Sequence, residues 1–320
     1  MRAFILLYFM PCSLYFATNE TDIFMRKSTL FLLISVIFWG FSYIAIKVVL
    51  TQLEPVEMIS ARFLLAAPVL YAISKIKRLR IWPVEMKGKL VIAAGVVFIH
   101  FWIMATGMEE TSATNTAWIL TTAPIFVALL SWVYLKETFR LSQWGGLALA
   151  VLGVFVLVYN GSWSNLGWIH SRGDLIVLAS CGTWALYTVG TREITAAVHP
   201  IVATFWMVTI AGIVFVPYTL ITSDYHKFLS LRTDTTISLV FLGVFCLAIA
   251  FWLWSEGLKR QNAAEVGVYL YIEPLVTMIG AMILIHERMT VWLLIGAALI
   301  SLGVYTSEKF GRMKLVEHDV

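Results

Sequence analysis

The sequence predicts an all-α integral membrane protein whose ten transmembrane helices form two five-helix repeats of inverted topology. Three observations carry that expectation. Of the 320 residues, 60% are hydrophobic and only 13% charged, against roughly 45–50% and 25% in a soluble domain. The chain divides into apolar runs of about 20 residues, the length a helix needs to cross a bilayer. Rare residues of the first half also recur, in order, in the second.

Composition sets the class. A mean hydropathy of +0.85 places about 200 residues in lipid, enough for about ten spanning helices. The remainder is too short for a soluble catalytic or nucleic-acid-binding domain. The formal charge of +4 is therefore a topology signal, not a surface for a polyanion. The partners expected are the lipid bilayer and a small solute, with no nucleic acid and no cofactor. Cys12, Cys181 and Cys246 lack metal or CxxC spacing, and an odd number of cysteines in apolar surroundings points to reduced thiols.

The first five spans lie near 30–49, 57–74, 89–108, 113–135 and 141–159, and the second five near 174–192, 199–222, 236–256, 264–285 and 290–309. Each run is bounded by charged residues or by Gly, Pro or Asn. Continuous apolarity over about 20 residues argues against barrel strands, which alternate over about ten.

Lys and Arg set the orientation, because short basic loops stay cytoplasmic. One alternate set of loops holds Arg2, Arg26, Lys27, Lys75, Lys77, Arg78, Arg80, Lys87, Lys89, Lys136, Arg140, Arg192, Lys259, Arg260, Lys309, Arg312 and Lys314. The opposite set holds only Arg172, Lys227, Arg232 and Arg288. Both termini are thus expected in the cytoplasm, in a multi-pass protein of the plasma (inner) membrane. Phe4–Ala17 is apolar but too short to span, and imitates a signal peptide. Cleavage there would put the new N-terminus outside, against the signal of Arg26 and Lys27. The expectation is a start at Met25 or a loose interfacial segment over residues 1–24.

The internal repeat is read from uncommon residues. At an offset of 145, Ser35, Trp39, Lys47 and Pro55 meet Ser180, Trp184, Arg192 and Pro200. At an offset of 150, Trp102, Gly107, Ala113, Pro124, Glu137, Gly146 and Gly153 meet Trp252, Gly257, Ala263, Pro274, Glu287, Gly296 and Gly303. Five spans per repeat is an odd number, so the second repeat crosses in the opposite sense. Such pairs recur in transporters, which bind near midplane between the halves and alternate access by rocking one against the other. The expected organisation is an N-terminal extension over 1–27, a first repeat over 28–160, an external linker over 161–173, a second repeat over 174–309 and a cytoplasmic tail over 310–320.

The string WGFSYIAIKVVL, then Pro55, ARFLLA, a helix with Pro124 ending LKE, and GGLALAVLGV resembles an EamA domain of the drug/metabolite transporter superfamily. TWALYTVGTRE, Pro200, EPLVTMIGAMILIHE and IGAALISLGV resemble a second such domain, so the likeness covers about residues 28–308. It implies a ten-helix carrier of the inner or plasma membrane, often an exporter of amino acids or other small metabolites, with a cavity between the halves. The second half departs at Ala185, where the first has Gly40.

Candidate binding residues follow from shared faces. Ser35, Trp39 and Ser42 share one face of the first span, and Ser180, Trp184 and Tyr187 share one of the sixth, each at i, i+4, i+7. They read either as symmetry-related stripes lining the cavity, with indoles stacking on substrate or on its cation, or as helix-packing surfaces with small serines. Asn115, Trp118 and Thr122 share a face of the fourth span, and His100, Met104 and Gly107 share one of the third; both faces are expected to border the cavity. His100 either titrates or stays neutral, hydrogen-bonded across helices.

Glu273 stands mid-span, where its repeat mate is Ala123. An ionisable group there costs at least roughly 2.5 kcal/mol and marks a function by default. It could carry a coupling proton or hold an amino group; the plainer role is a neutral carboxyl that packs helices. Tyr269, four residues earlier, is the expected hydroxyl donor. Pro124 and Pro274 are read chiefly as kinks. Lys47 and Arg62 are expected to snorkel. Their rival readings are pairing with Glu54 or Glu57, or with an anionic substrate at the external mouth. Glu137 and Glu287 are expected to tether helix ends. Glycines 145, 146, 153, 296 and 303 suggest close packing, within the carrier or between protomers of a homodimer.

No P-loop, HExxH or GxSxG is present. The expectation is a carrier, not an enzyme, that exports a small metabolite, an amino acid or derivative, by alternating access without ATP, with proton coupling through Glu273. Two rivals stand beside it. One is a membrane-embedded enzyme using Glu273 and His100 as acid and base; the other is a scaffold or sensor that transports nothing.

Overall fold

In lipid every backbone N–H and C=O must find its partner within the protein, so an apolar chain without closed strands has one solution, the helix. The structure, a computed structural model, describes residues 12–82, 86–137, 141–159, 171–224, 226–285 and 291–317. Among them all regular structure is helical.

In the first repeat, α1 (Cys12–Val49), α2 (Pro55–Ile76) and α3 (Lys87–Glu109) are followed by a broken helix, α4 (Ala113–Leu120) and α5 (Ala123–Leu130), which ends in a π-turn over Ser131–Leu135. Helix α6 (Leu141–Tyr159) closes the repeat. The second repeat runs through α7 (Arg172–Ala197), α8 (Pro200–Thr222), the short α9 (His226–Leu229) and α10 (Thr233–Val240). A π segment, Phe241–Ile249, joins α10 to α11 (Ala250–Arg260). Another broken helix follows, with α12 (Ala263–Gly267), a 3₁₀ turn over Val268–Ile272 and α13 (Glu273–Ile285), before α14 (Val291–Glu317). Helix α1 thus reaches back through residues 12–27, continuous with the first apolar span.

Local chemistry starts the helices where the sequence breaks. Pro55 and Pro200 occupy first turns, where a missing N–H is not needed. Ser171 and Asp174 exchange reciprocal bonds of 3.1 and 2.9 Å at the start of α7. Pro124 and Pro274 likewise sit in the first turns of α5 and α13. Neither can donate to the carbonyl four residues back, Leu120 or Leu270, and both spans tighten into three-residue bonding at that point, as in Thr122 N to Ile119 O at 3.0 Å.

Packing pairs each repeat with the other. Helix α1 lies against α11 and α13, and its repeat mate α7 lies against α3 and α5. Helix α2 packs on α8, and α6 on α14. The glycines serve that last contact: a Cβ on Gly146 would fall 2.8 Å from the Gly303 carbonyl, and one on Gly153 2.8 Å from Ile300. Gly146, Gly153 and Gly303 thus pack within the chain, while a Cβ on Gly145 would meet nothing within 4 Å.

Seven helices among the described residues are long and apolar enough to cross a membrane, and Leu141–Val156 and Leu294–Ser307 are shorter apolar helices. Helix α7 falls outside both sets. Its sequence carries Asp174, Thr183, Thr188, Thr191, Arg192 and Glu193, and its buried residues include Asp174, Ser180, Thr188, Thr191 and Thr195. A helix wrapped by protein has less need of an apolar surface than one facing lipid.

Candidate functional site

The two tryptophan stripes meet. Trp39 from α1 and Trp184 from α7 stand edge to face with centroids 5.0 Å apart, and Phe251 and Trp254 of α11 complete the cluster at 5.3 and 5.0 Å from Trp39. Trp39 Nε1 donates to the Cys246 carbonyl at 3.0 Å, which fixes its ring. Beside this cluster lies a cavity of about 50 Å³, room for a few waters or a small polar group. Its walls are Trp39, Ser42 and Tyr43 of α1, Arg62 of α2, and His100, Phe101 and Met104 of α3, with Leu120, Ala123, Trp184, Phe251, Leu270 and Glu273. Both repeats contribute, and the breaks in both kinked spans face it through two mate pairs, Leu120 with Leu270 and Ala123 with Glu273.

Glu273 is 5% exposed and its carboxylate accepts from the Tyr43 hydroxyl. The expected donor, Tyr269, instead reaches Thr29 Oγ1 at 3.4 Å. Four residues along a kinked, partly 3₁₀ segment no longer share a face, so the partner comes from α1 across the bundle. Thr277 Oγ1 bonds both the Glu273 carbonyl at 3.0 Å and the Gly40 carbonyl at 2.8 Å, which ties α13 to α1.

Arg62 corrects the snorkelling expectation. It is 2% exposed and its guanidinium carbon lies 4.3 Å above the centre of the Phe101 ring. Its Nε and Nη1 have no hydrogen-bond partner among the described residues. Glu57, the rival partner, is taken: it accepts from Lys227 at 3.1 Å and from the Glu54 amide at 2.8 Å. That hydrogen bond and the Glu57 charge push the Lys227 ammonium above its ordinary pKa. Burying an unpaired guanidinium costs on the order of several kcal/mol, and a cation–π contact returns only about 2 kcal/mol. The deficit has to be met elsewhere.

His100 Nδ1 lies 3.1 Å from the Ser180 carbonyl and 3.2 Å from Thr183 Oγ1, with its ring on Trp184. The serines of the stripes split. Ser42 lines the cavity, while Ser35 donates to the Phe31 and Ala250 carbonyls at 2.9 Å and Ser180 to Val177 at 2.6 Å, both as packing groups. Tyr187 is buried against Trp184 and Phe251, behind the wall. The face of Asn115, Trp118 and Thr122 does not line the cavity. Asn115 Nδ2 bonds Asp174 at 2.6 Å, Trp118 packs on the core, and Thr122 Oγ1 reaches Cys181 at 3.4 Å.

Lys47 does not snorkel either: Nζ donates to the Met108 and Thr111 carbonyls at 2.6 and 2.9 Å, closing the end of α3. Glu137 accepts from the amides of Ala263 and Ala264 at 3.1 and 3.4 Å and so tethers α12 to the first repeat. Glu287 lies outside the described residues. Met104, expected with His100 on the cavity-facing side of the third span, lines the cavity, whereas Gly107 of that face does not. Sequence reasoning missed Tyr43, Phe101 and Phe251. For Tyr43 the signal existed, since it follows Trp39 by four residues and shares its helical face.

The profile of the EamA-like transporter family matches the chain twice, over residues 26–159 and 171–307. An uncharacterized transporter of Archaeoglobus fulgidus is 28% identical over 282 residues, 87% of this chain and 96% of that protein. A probable amino-acid metabolite efflux pump of Escherichia coli (strain K12) is 25% identical over 289 residues, 88% of this chain and 94% of its own length. A solved crystal structure superposes with a TM-score of 0.72 at 18% identity, covering 90% of this chain and 98% of the other. The last likeness is one of fold.

Proposed function

The chain belongs to the EamA-like transporter family, and from that premise we propose that it is a ten-span secondary carrier that exports an amino acid or derivative by alternating access. The observation that carries the reading is the cavity between the two repeats, lined from both and holding the mid-span carboxylate of Glu273 against Tyr43. Indoles, a carboxylate and a guanidinium line this chamber, which as it stands admits only a small polar group, and their chemistry suits a solute with an apolar part and charged ends admitted when the halves open. Relatives named probable amino-acid metabolite efflux pumps support that solute class. Seven clear spans, two shorter apolar helices and the polar, protein-wrapped α7 support the count of ten. The basic loops support cytoplasmic termini in the plasma membrane.

Glu273 is the coupling residue in this reading. A carboxylate that exchanges its proton between two access states links solute flux to a pH gradient, and Tyr43 is positioned to stabilise its ionised form. The test is flux in proteoliposomes under an imposed pH gradient. Glu273→Gln is expected to abolish gradient-driven export of amino acids while exchange without a gradient persists. Gradient-driven flux at the wild-type rate in that variant would remove Glu273 from the coupling role.

A further inference from the structure

Two residues of the chamber wall carry buried donors without an acceptor. Arg62 Nε and Nη1 and the indole N–H of Trp184 have no hydrogen-bond partner among the described residues, although Arg62 is 2% and Trp184 6% exposed and both residues line the cavity. The cavity's carboxylate, Glu273, is bonded to Tyr43 and forms no ion pair with Arg62. The other carboxylate near α2, Glu57, is held by Lys227 and the Glu54 amide. A buried guanidinium 4.3 Å above the Phe101 ring, with two N–H groups left unpaired, is a cation whose charge is open to neutralisation by a bound anionic group.

Sequence symmetry sharpens this. At the repeat offsets the mate of Arg62 is Met207 and the mate of Glu273 is Ala123, so the two charges of the chamber stand where the repeats diverge. The architecture that rocks is shared between the halves; the charged chemistry is not.

We propose that Arg62, with the Trp184 indole N–H as a second donor in the same chamber wall, is the carboxylate-binding anchor of the transport site, so that the transported solutes are small carboxylates. This rests on the transporter reading and deepens it. Lysine would supply a point charge but not the planar fork, so Arg62→Lys is expected to bind carboxylates about tenfold more weakly. Arg62→Gln is expected to stop discriminating between an acid and its amide.

The experiment uses the full-length protein, wild type, Arg62→Lys and Arg62→Gln. Detergent-purified samples are titrated with the twenty protein amino acids, their primary amides, the matching amines, the deaminated acids and sodium chloride, and binding is read as a rise in melting temperature. Counterflow in proteoliposomes is measured for every compound that binds. Binding of an acid at least about tenfold better than its amide by wild type, with that ratio lost in Arg62→Gln and reduced in Arg62→Lys, supports the anchor. Equal binding of acid and amide by wild type would overturn it, as would an unchanged ratio in Arg62→Gln, saturation by chloride alone, or no binding of any carboxylate. Should Arg62→Gln fail to fold, the lysine variant and the wild-type ratio still decide. The two readings fail separately. Flux of amines alone sinks the anchor and leaves a transporter; Arg62-dependent binding of acids without any counterflow keeps the anchor and sinks the carrier.

Discussion

Gly40 shows how one atom can set the site. It has no Cβ where α1 crosses α13, and one added there would fall 2.6 Å from Val276 Cβ and 2.9 Å from the Glu273 carbonyl. Gly40→Ala must push α13 outward, breaking the Thr277 bond to the Gly40 carbonyl and moving Glu273 from Tyr43. The expected cost is about 1–3 kcal/mol, as for other overpacked contacts, read as a lower melting temperature with weakened transport. A melting temperature and flux equal to wild type would show that α13 yields freely. In the other repeat Ala185 sits fully buried at the equivalent position. At this scale the sequence was half legible. Trp39, Trp184 and Glu273 stood out because a large indole or an ionisable group at mid-span has few structural uses. Arg62 did not, because a long cationic side chain near a helix end ordinarily reaches the interface, and only the positions of α3 and α11 show that it turns inward.

Between elements, the pairing of α6 with α14 is a second glycine device of different purpose. The backbones approach so closely that a Cβ at Gly303 would lie 2.6 Å from both the Ala150 amide nitrogen and the Gly146 carbonyl. Neighbouring backbone cannot rotate away as a side chain can. Gly303→Val is therefore expected to lower the melting temperature and the folded yield, and the lipid-facing Leu302→Val, at 50% exposure, to change neither. Equal stability of the two variants would refute the close packing. The element boundaries were readable because prolines and charged breaks act locally. The interruptions inside the fourth and ninth spans were readable only as kinks at Pro124 and Pro274. Their tight turns face the chamber through Leu120 and Leu270, and that orientation depends on how each span is rotated against its neighbours.

Across the whole molecule, two polar closures flank the chamber, with symmetry-related members. On one side Lys47 caps the end of α3 while Thr111 and Asn115 bond Asp174. On the other, Gln143 bonds Glu265 at 2.9 Å and Glu137 holds the first amides of α12. Asn115 and Glu265 are mates at the offset of 150, as Lys47 and Arg192 are at 145. If the halves rock, opening one closure should shut the other. Cysteines placed singly at 115 and 265, in a chain with Cys12 replaced by Ser, are expected to react reciprocally with membrane-impermeant reagents from the two sides as carboxylate substrate is added. The native Cys181 and Cys246 are buried and should stay silent. Reactivity that rises or falls together at both positions would favour a scaffold over a carrier.

The sequence by itself determined that this chain lies in a membrane as helices and carries two copies of one repeat. Hydrophobicity, helix length and the order of rare residues act along the chain and need no knowledge of neighbours. It also marked Trp39, Trp184 and Glu273, whose types are costly or conspicuous wherever they sit in lipid. Only the tertiary structure decided that Tyr43 rather than Tyr269 serves Glu273, that Arg62 faces the chamber with open donors, and that Asn115 belongs to a closure outside it. Those outcomes depend on the rotation of one helix against another, which is fixed by contacts between residues far apart in sequence, such as Gly40 with Val276 and Trp39 with Cys246.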